Sequence, residues 1–499
     1  MNDEKNMLKL QNGSDVRGVA MEGIEGEEVN LTPAVVNRIA GAFVRWLEKR
    51  TGKPAHDLTV AVGNDSRLTA DPLRFEALQA ITASGARALD CGLASTPAMF
   101  MSILFDETKA DGSIMMTASH LPFNRNGMKF FTKDGGLEKA DIKELLTNAA
   151  ALEPQSSDRT AHPCALITRY ARFLREKIRE GIGTEDAQPL KGMHIVVDAG
   201  NGAGGFFATE VLEPLGADIS GSQFLEPDGH FPNHIPNPEN KEAMESIQSA
   251  VRKNEADLGL IFDTDVDRMS AVLSDGREIC RNALIAMMAA ILAPDYPGST
   301  IVTDSVTSDE LTVFLEKELG LKHHRFQRGY KNVINESIRL DKEGVVSPLA
   351  IETSGHGALS ENYYLDDGAF LAVKLLIAAA KLHNEGKDLG SLVATLKEPA
   401  ESKEIRLPVT AEDAHAAGDA VLVELEKRAK AAGIGIASPS YEGVRLIFPQ
   451  GWALLRMSLH DPLMPMNVEG REKGSVAEII KKMAELLDGL EGLDISKLK

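Results

Sequence analysis

Cysteine is scarce in this 499-residue chain: only Cys91, Cys164 and Cys280 occur, far apart in sequence and without C-x-x-C spacing. A disulfide framework or a zinc site is therefore not expected, and a reducing cytoplasm is the natural setting. Long apolar runs are also missing, and residues 283–294 (ALIAMMAAILAP) are too few to span a bilayer. The opening residues, MNDEKNMLKL, lack the apolar core of a signal peptide. Positive charge is in deficit, with 54 Lys and Arg against 74 Asp and Glu and a formal net charge of −20. That balance excludes a nucleic-acid binder, which needs clustered basic side chains. It also means that an anionic substrate must be met by local cations. The composition is otherwise that of ordinary globular domains, 43% hydrophobic and 26% charged, so several cores can be buried. At roughly 100–200 residues per domain, three or four domains are expected.

A short β-branched run, a glycine turn and a helix-patterned segment recur along the chain. Strands are predicted at 58–63, 87–92, 112–116, 194–197, 258–262 and 300–303, with a helix at 71–83. Strands alternating with helices imply α/β layers whose functional loops lie at the C-terminal ends of strands. Polar breaks at 153–159 (EPQSSDR) and 398–404 (EPAESKE), with another boundary near Arg281, divide the chain. The domains expected are 1–160, 161–282, 283–400 and 401–499. The last differs in kind: a helix at 411–432, a hairpin at 441–458 and a terminal helix read as α+β.

Three loops carry chemistry. Thr117-Ala118-Ser119-His120 follows a strand and can present a hydroxyl nucleophile or a phosphorylated serine. It is not a hydrolase elbow, because Thr117 and Leu121 stand where glycines are required; alone, a Ser-His pair is more commonly a capped loop. Lys129 brings a cation to the same strand end. Asp263-Thr264-Asp265-Val266-Asp267-Arg268 follows the strand 258–262, and its three alternating carboxylates can converge on a hard cation. Arg268 and Ser274 exclude an EF-hand, which needs glycine and glutamate there. Three aspartates in five residues repel unless they are solvated or bound to metal. Glu352-Thr353-Ser354-Gly355-His356 combines carboxylate, hydroxyl and imidazole, suited to sugar hydroxyls and to moving a proton. A structural histidine is the commoner explanation for such a loop by itself. The run 200–205 (GNGAGG) fits G-x-G-x-x-G, but no acidic residue clearly ends the next strand, so it reads as a tight strand-to-helix turn.

In this order and spacing the loops resemble those of the α-D-phosphohexomutase superfamily, the phosphomannomutase/phosphoglucomutase group. TASHLP is similar to that family's phosphoserine loop T-A/G-S-H-N-P, DTDVDR to its metal loop D-G-D-G/A-D-R, and IETSGH to its sugar loop G-E-x-S-G-H. Asp15-Val16-Arg17-Gly18, Asp65-Ser66-Arg67, VDAGNGAGG and Pro227-Asp228-Gly229 match smaller features. The resemblance implies three similar α/β domains with mixed sheets plus a C-terminal α+β domain around a central cleft. It also implies an enzyme that interconverts hexose 1-phosphate and hexose 6-phosphate, of mannose or glucose, through a phosphoserine and a bisphosphorylated sugar. A phosphoglucosamine mutase, or a non-catalytic sugar-phosphate-binding homologue, is the alternative.

By that resemblance Ser119 carries the phosphoryl group, and one Mg²⁺ per chain is held by Ser119, Asp263, Asp265 and Asp267. Arg17, His120, Lys129 and Arg268 surround the reacting oxygens, with Lys129 or His356 assisting proton transfer. Gly329, Tyr330, Lys331, Glu352, Ser354, Arg456 and Ser458 bind the substrate. A hexose 1,6-bisphosphate serves as activator, and the assembly expected is a cytoplasmic monomer or homodimer.

The chain departs from the family at 456–465. The usual R-x-S-N/G-T-E-P-x-x-R becomes RMSLHDPLMP: Arg456 and Ser458 remain, Leu459, His460 and Asp461 replace the middle, and Pro465 stands where a second arginine is usual. Losing one charge-assisted hydrogen bond, about 1.5–3 kcal/mol, weakens a phosphate grip. Residues 441–445 and Lys331 are the candidates to compensate.

Overall fold

The structure is a computed structural model describing residues 2–458 and 461–498. It divides into two compact units, residues 1–291 with 354–392, and residues 292–353 with 393–499. Among the described residues no helix is long and apolar enough to cross a membrane.

The first unit opens with a mixed eight-stranded sheet. Its main order is Gln11–Asn12, Asp15–Val19, Arg125–Thr132, Gly112–Met116, Thr59–Asn64, Arg87–Leu93 and His162–Pro163. Gly112–Met116 is buried along its whole length, running parallel to Thr59–Asn64 and antiparallel to Arg125–Thr132. A strand covered on both faces needs a largely apolar run, and GSIMM supplies one interrupted by Ser113, whose buried hydroxyl donates to Met99 O at 2.8 Å. The helix Pro33–Thr51 covers this sheet. Thr32 caps its start, Pro33 supplies a fixed φ, and Gly52 at φ 71° closes it in the left-handed region. Val36, Ile39, Ala40, Phe43 and Leu47 recur at helical spacing on its buried face and share a core with Val60, Val62, Ile114 and Phe130. Each large side chain so buried contributes about 1.5–3 kcal/mol.

A four-stranded sheet follows, ordered Glu278–Ile279, Met269–Leu273, Leu258–Phe262 and Ile195–Asp198. Leu258–Phe262 and Met269–Leu273 pair antiparallel over their full length, so residues 263–268 are a hairpin tip pinned at both ends. The helix Gly368–Asn384 packs on the helix Leu166–Ile182, and Tyr170 Oη donates to Asp367, 2.6 Å from one oxygen and 2.7 Å from the other.

The second unit holds parallel strands Lys322–Arg325, Thr300–Thr303 and Leu349–Ile351, and a five-stranded antiparallel sheet built from residues 401–470. The expected α/β layers and the α+β tail are both present. The tail helix runs Ala414–Ala431 because Asp413, not an earlier residue, accepts the Ala416 N–H as cap. The hairpin is Val444–Phe448 with Gly451–Leu455.

Candidate active site

Ser119 sits three residues beyond the strand Gly112–Met116, buried, with φ at 50°. A non-glycine residue held in the left-handed region is strained, and such strain persists only where the surroundings impose it. Here Thr117 Oγ1 accepts the Ser119 N–H at 2.9 Å. Arg67, also buried, donates to the carbonyl oxygens of Ser119 (2.5 Å), Leu121 (2.6 Å), Pro122 (2.8 Å) and Arg125 (2.8 Å). One planar guanidinium thus satisfies four carbonyls of the turn and fixes its shape. Arg17 approaches from the strand Asp15–Val19, beyond Arg125–Thr132, and donates to Thr117 O at 2.9 Å and to Asp15 at 2.8 Å.

The Ser119 hydroxyl donates to Asp263 Oδ2 at 3.0 Å, and His120 Nδ1 stands 3.4 Å from Ser119 Oγ. Burial, with Arg268 and Arg17 nearby, pushes the His120 pKa down to about 2, so this imidazole is neutral at any working pH.

Carboxylate oxygens of Asp263, Asp265 and Asp267 lie within 4.8 Å of one another, all buried. Val266, at φ 66°, makes the turn that lets alternating residues converge. Thr96 holds the middle carboxylate: its N–H donates to Asp265 O at 2.8 Å and its hydroxyl bonds the Asp265 side chain. Lys129 pairs with Asp265 Oδ2 at 3.2 Å and with Asp267. Asp265 Oδ1 and Asp267 Oδ1 remain buried without a hydrogen-bond partner. Burial and the two neighbouring carboxylates drive the Asp263 pKa well above the usual range. Asp267 is held below that range, because Lys129, His356 and Arg268 outweigh burial. Orphaned carboxylate oxygens on three converging aspartates, beside a hydroxyl, form a hard-oxygen donor set that fits a divalent cation.

The glycine run at 200–205 belongs to this site. A Cβ on Gly202 would meet the Thr264 backbone at 2.7–2.8 Å, and Ala203 N–H donates to Thr264 O at 2.8 Å. The run is a close-packing turn against the aspartate loop, as a strand-to-helix turn requires. It leads into a π-helical segment, Phe207–Leu212.

His356 forms an isolated bridge with Arg268. Its Nε2 accepts from Arg268 Nε at 2.8 Å, and its Nδ1 lies 2.6 Å from Asp366 Oδ2. Burial and Arg268 oppose its charged form, but Asp366 and Asp267 outweigh them and raise its pKa above the usual value. Ser354 Oγ, two residues before, is buried without a partner. Sequence reasoning overlooked Asp366, Thr96 and the bracing role of Arg67. Asp366-Asp367 preceding a helix was a visible signal, but it reads equally well as a helix cap, the role Asp367 has at Phe370 N–H (2.8 Å).

The remaining candidates lie in the second unit. Glu352 Oε1 accepts the Gly329 N–H at 2.7 Å, which ties the two loops together at the start of the helix Tyr330–Lys342. Arg456 Nη1 lies 3.7 Å from Glu442 Oε1, and Glu442 also accepts from Arg328 N–H at 3.1 Å and from Ser305 Oγ. Ser458 N–H donates to Leu463 O at 2.9 Å; Leu459 and His460 lie outside the described residues. Pro465 belongs to the strand Leu463–Gly470 rather than to the loop, and its carbonyl accepts from Arg456 N–H at 3.1 Å. Arg445, one of the candidates to compensate, already has partners within its own unit. It is buried over Trp452, 3.5 Å from the ring centroid, and donates to Asp309 at 2.9 Å and to the carbonyls of Ser305 and Thr307.

Residues 9–155, 169–276 and 281–399 match, in order, the α/β/α domains I, II and III described as phosphoglucomutase/phosphomannomutase. A phosphomannomutase/phosphoglucomutase of Pseudomonas syringae pv. tomato is 29% identical over 456 residues, covering 89% of this chain and 92% of that protein. A phosphoglucosamine mutase of Corynebacterium jeikeium is 27% identical, covering 96% and 99%. The crystal structure of a phosphoglucomutase/phosphomannomutase family protein from Burkholderia thailandensis superposes with a TM-score of 0.77 at 24% identity, covering 95% and 96%.

Proposed function

The chain belongs to the α-D-phosphohexomutase superfamily, and from that premise we propose that it interconverts hexose 1-phosphate and hexose 6-phosphate, mannose or glucose, through phosphorylated Ser119. The observation that carries the proposal is the Ser119 hydroxyl 3.0 Å from Asp263, inside a buried carboxylate cluster with orphaned oxygens.

Asp263, Asp265, Asp267 and an oxygen on Ser119 would hold one Mg²⁺, which would supply the positive charge that makes a phosphoserine electrophilic. Phosphoryl transfer depends on positioning and charge neutralisation more than on covalent help from other side chains. Arg67 holds the serine turn in its strained shape. Arg17 and Arg268 flank the turn with fixed positive charge, and neutral His120 offers a hydrogen-bonding nitrogen beside Oγ. Lys129 is the cation nearest the carboxylates. His356, oriented by Asp366, is the group suited to take the proton from the attacking sugar hydroxyl and to return it. Glu352 and Ser354 address sugar hydroxyls, while Gly329, Tyr330, Lys331, Arg456 and Ser458 address the sugar and its non-reacting phosphate.

The phosphoryl group passes to the free hydroxyl of the substrate, the resulting bisphosphate reorients, and its other phosphate returns to Ser119. Hexose 1,6-bisphosphate is accordingly the activator. Four domains, 1–160, 161–282, 283–400 and 401–499, contribute the parts, and a cytoplasmic monomer or homodimer is the form we assign. The Corynebacterium jeikeium relative favours a second reading, the amino-sugar phosphate as substrate.

The test is a panel of mannose, glucose and glucosamine 1-phosphates with Mg²⁺ and the matching bisphosphate, alongside intact-mass analysis. The protein is expected to carry one phosphate, absent from Ser119→Ala, and to turn over at least one sugar. A stably unphosphorylated protein that binds a sugar phosphate without exchange overturns the proposal.

A further inference from the structure

Cys91 and Cys164 are 73 positions apart in sequence and adjacent in space. The strands Arg87–Leu93 and His162–Pro163 run parallel with Leu89 opposite His162 and Asp90 opposite Pro163, and Cys164 N–H continues the ladder by donating to Asp90 O at 2.8 Å. Cys91 and Cys164 each follow that last pair by one residue, Cys91 at the bulge where its strand shifts register against Thr59–Asn64, and each thiol is the other's main electrostatic neighbour. Strand neighbours lie about 4.8 Å apart, inside the Cα separation of about 4.4–6.8 Å that a disulfide spans. Cys91 is buried, whereas Cys164 is partly exposed at the sheet edge. Arg169 Nη1 donates to Cys164 Sγ at 3.3 Å. A guanidinium against a thiol at a solvent-facing edge is the setting that favours thiolate.

We propose that Cys164 and Cys91 form a peroxide-oxidisable dithiol, with Cys164 the reacting thiol and Cys91 the resolving one. The Cys164 thiolate attacks one oxygen of hydrogen peroxide; the S–O bond forms, the O–O bond breaks, and hydroxide leaves and is protonated to water. The sulfur of Cys91 then attacks the sulfenic sulfur of Cys164. The S–S bond forms, the S–O bond breaks, and the departing hydroxide takes up the Cys91 proton as a second water. Two thiols lose two electrons in all, and peroxide gains them. The neighbouring Cys91 thiol, with Arg169, draws the Cys164 pKa down to about 7, while Cys164 and burial push Cys91 up. That division suits the order of attack. The bond closes over the connection between the segments 9–155 and 169–276 and ties it to the edge of the first sheet. It does not depend on the proposed sugar chemistry.

The test is titration of the full-length protein with hydrogen peroxide, followed by thiol counting, intact mass and peptide mapping under non-reducing conditions. Wild type is expected to lose two of its three thiols and two hydrogens in mass, to yield a Cys91–Cys164 linked peptide, and to recover fully with dithiothreitol. Cys280→Ser is expected to behave in the same way. Cys91→Ser should stop at a Cys164 sulfenic acid captured by dimedone, and Cys164→Ser should leave Cys91 unreacted. Wild type that keeps three thiols, or that gives a Cys164–dimedone adduct without the linked peptide, overturns the proposal. So does loss of the Cys91 thiol in Cys164→Ser. The linked peptide is read on wild type, so the outcome does not rest on any variant folding.

Discussion

His356 Nδ1 lies 2.6 Å from Asp366 Oδ2, while His356 Nε2 accepts a hydrogen bond from Arg268 at 2.8 Å. Donation from Arg268 needs an unprotonated Nε2, while Nδ1 faces the Asp366 carboxylate, which with Asp267 outweighs burial and raises the His356 pKa. In the proposed reaction Arg268 would turn to a phosphate, freeing Nε2 to take a proton, and the Asp366 carboxylate would stabilise the imidazolium.

Asp366→Asn removes that stabilisation. The His356 pKa is raised above the usual value in the native protein, so the substitution lowers it. If the protonated ring acts as acid, the alkaline limb of kcat moves to lower pH. We expect kcat to fall about 10–100-fold, the range for groups that orient a functional histidine, with KM little changed. A pH–rate profile for Asp366→Asn that overlays wild type would sink the assignment.

The aspartate triplet predicts a stability that depends on divalent cation. Without one, three carboxylates crowd one buried site and Asp263 is driven toward its protonated form. At 100 times its Kd, Mg²⁺ stabilises the folded state by about 2.7 kcal/mol. Chelation is expected to lower Tm and abolish turnover, with Mg²⁺ restoring both. Asp265→Asn, which removes one charged ligand, is expected to lose most of the Mg²⁺-dependent Tm shift in calorimetry. An undiminished shift in that variant would place the cation elsewhere.

Arg67 is predicted to be irreplaceable by lysine. An ammonium cannot reach four carbonyl oxygens in one plane, and buried acceptors left without donors are costly. Each buried acceptor left unpaired costs about 1–3 kcal/mol, so Arg67→Lys should lower Tm measurably and slow phosphorylation of Ser119. Retained Tm and a normal rate of phosphorylation by the bisphosphate would show that the turn holds its shape unaided.

Asp367 predicts a pH dependence of opposite sign to most carboxylates. Burial raises its pKa to about 6, despite hydrogen bonds from Tyr170, Phe370 N–H and Asn362. Between the unfolded value near 4 and that of the native state, the folded protein binds more protons than the unfolded one. Stability therefore falls as pH rises through this window, and the ionised form costs about 3 kcal/mol above it. Asn can cap the helix Gly368–Asn384 without carrying charge. The Tm of Asp367→Asn relative to wild type should rise between pH 5 and pH 7, and a difference constant with pH would contradict the assignment.

Much of the site was legible before folding was considered. Serine beside histidine after a buried strand, three aspartates alternating at a strand end, and a Glu-x-Ser-x-His run are local patterns. A strand delivers its next residues to one edge of a sheet whatever lies around it, and the strand endings fell within a residue or two of those read from alternation and glycine turns. The acidic triplet had to be metal-bound or solvated, because repulsion between near neighbours follows from spacing alone.

Other features depended on residues distant in sequence. Arg67 reaches the serine turn only because Thr59–Asn64 lies beside Gly112–Met116. Thr96 meets Asp265 across 169 positions, and Asp366 meets His356 only once the short strands 357–359 and 365–366 pair. The alternation that marks a strand does not say which strand becomes its neighbour. For the same reason Cys91 and Cys164, far apart along the chain, each lie one residue beyond the last pair of one parallel ladder. Arg445, promising in sequence as a phosphate ligand, is committed to Asp309 and Trp452. The sequence alone determined which groups exist and which strand ends bear them. Only tertiary structure decided which buried charges face one another, because their pKa values and bonds depend on distance through space and on exclusion of water.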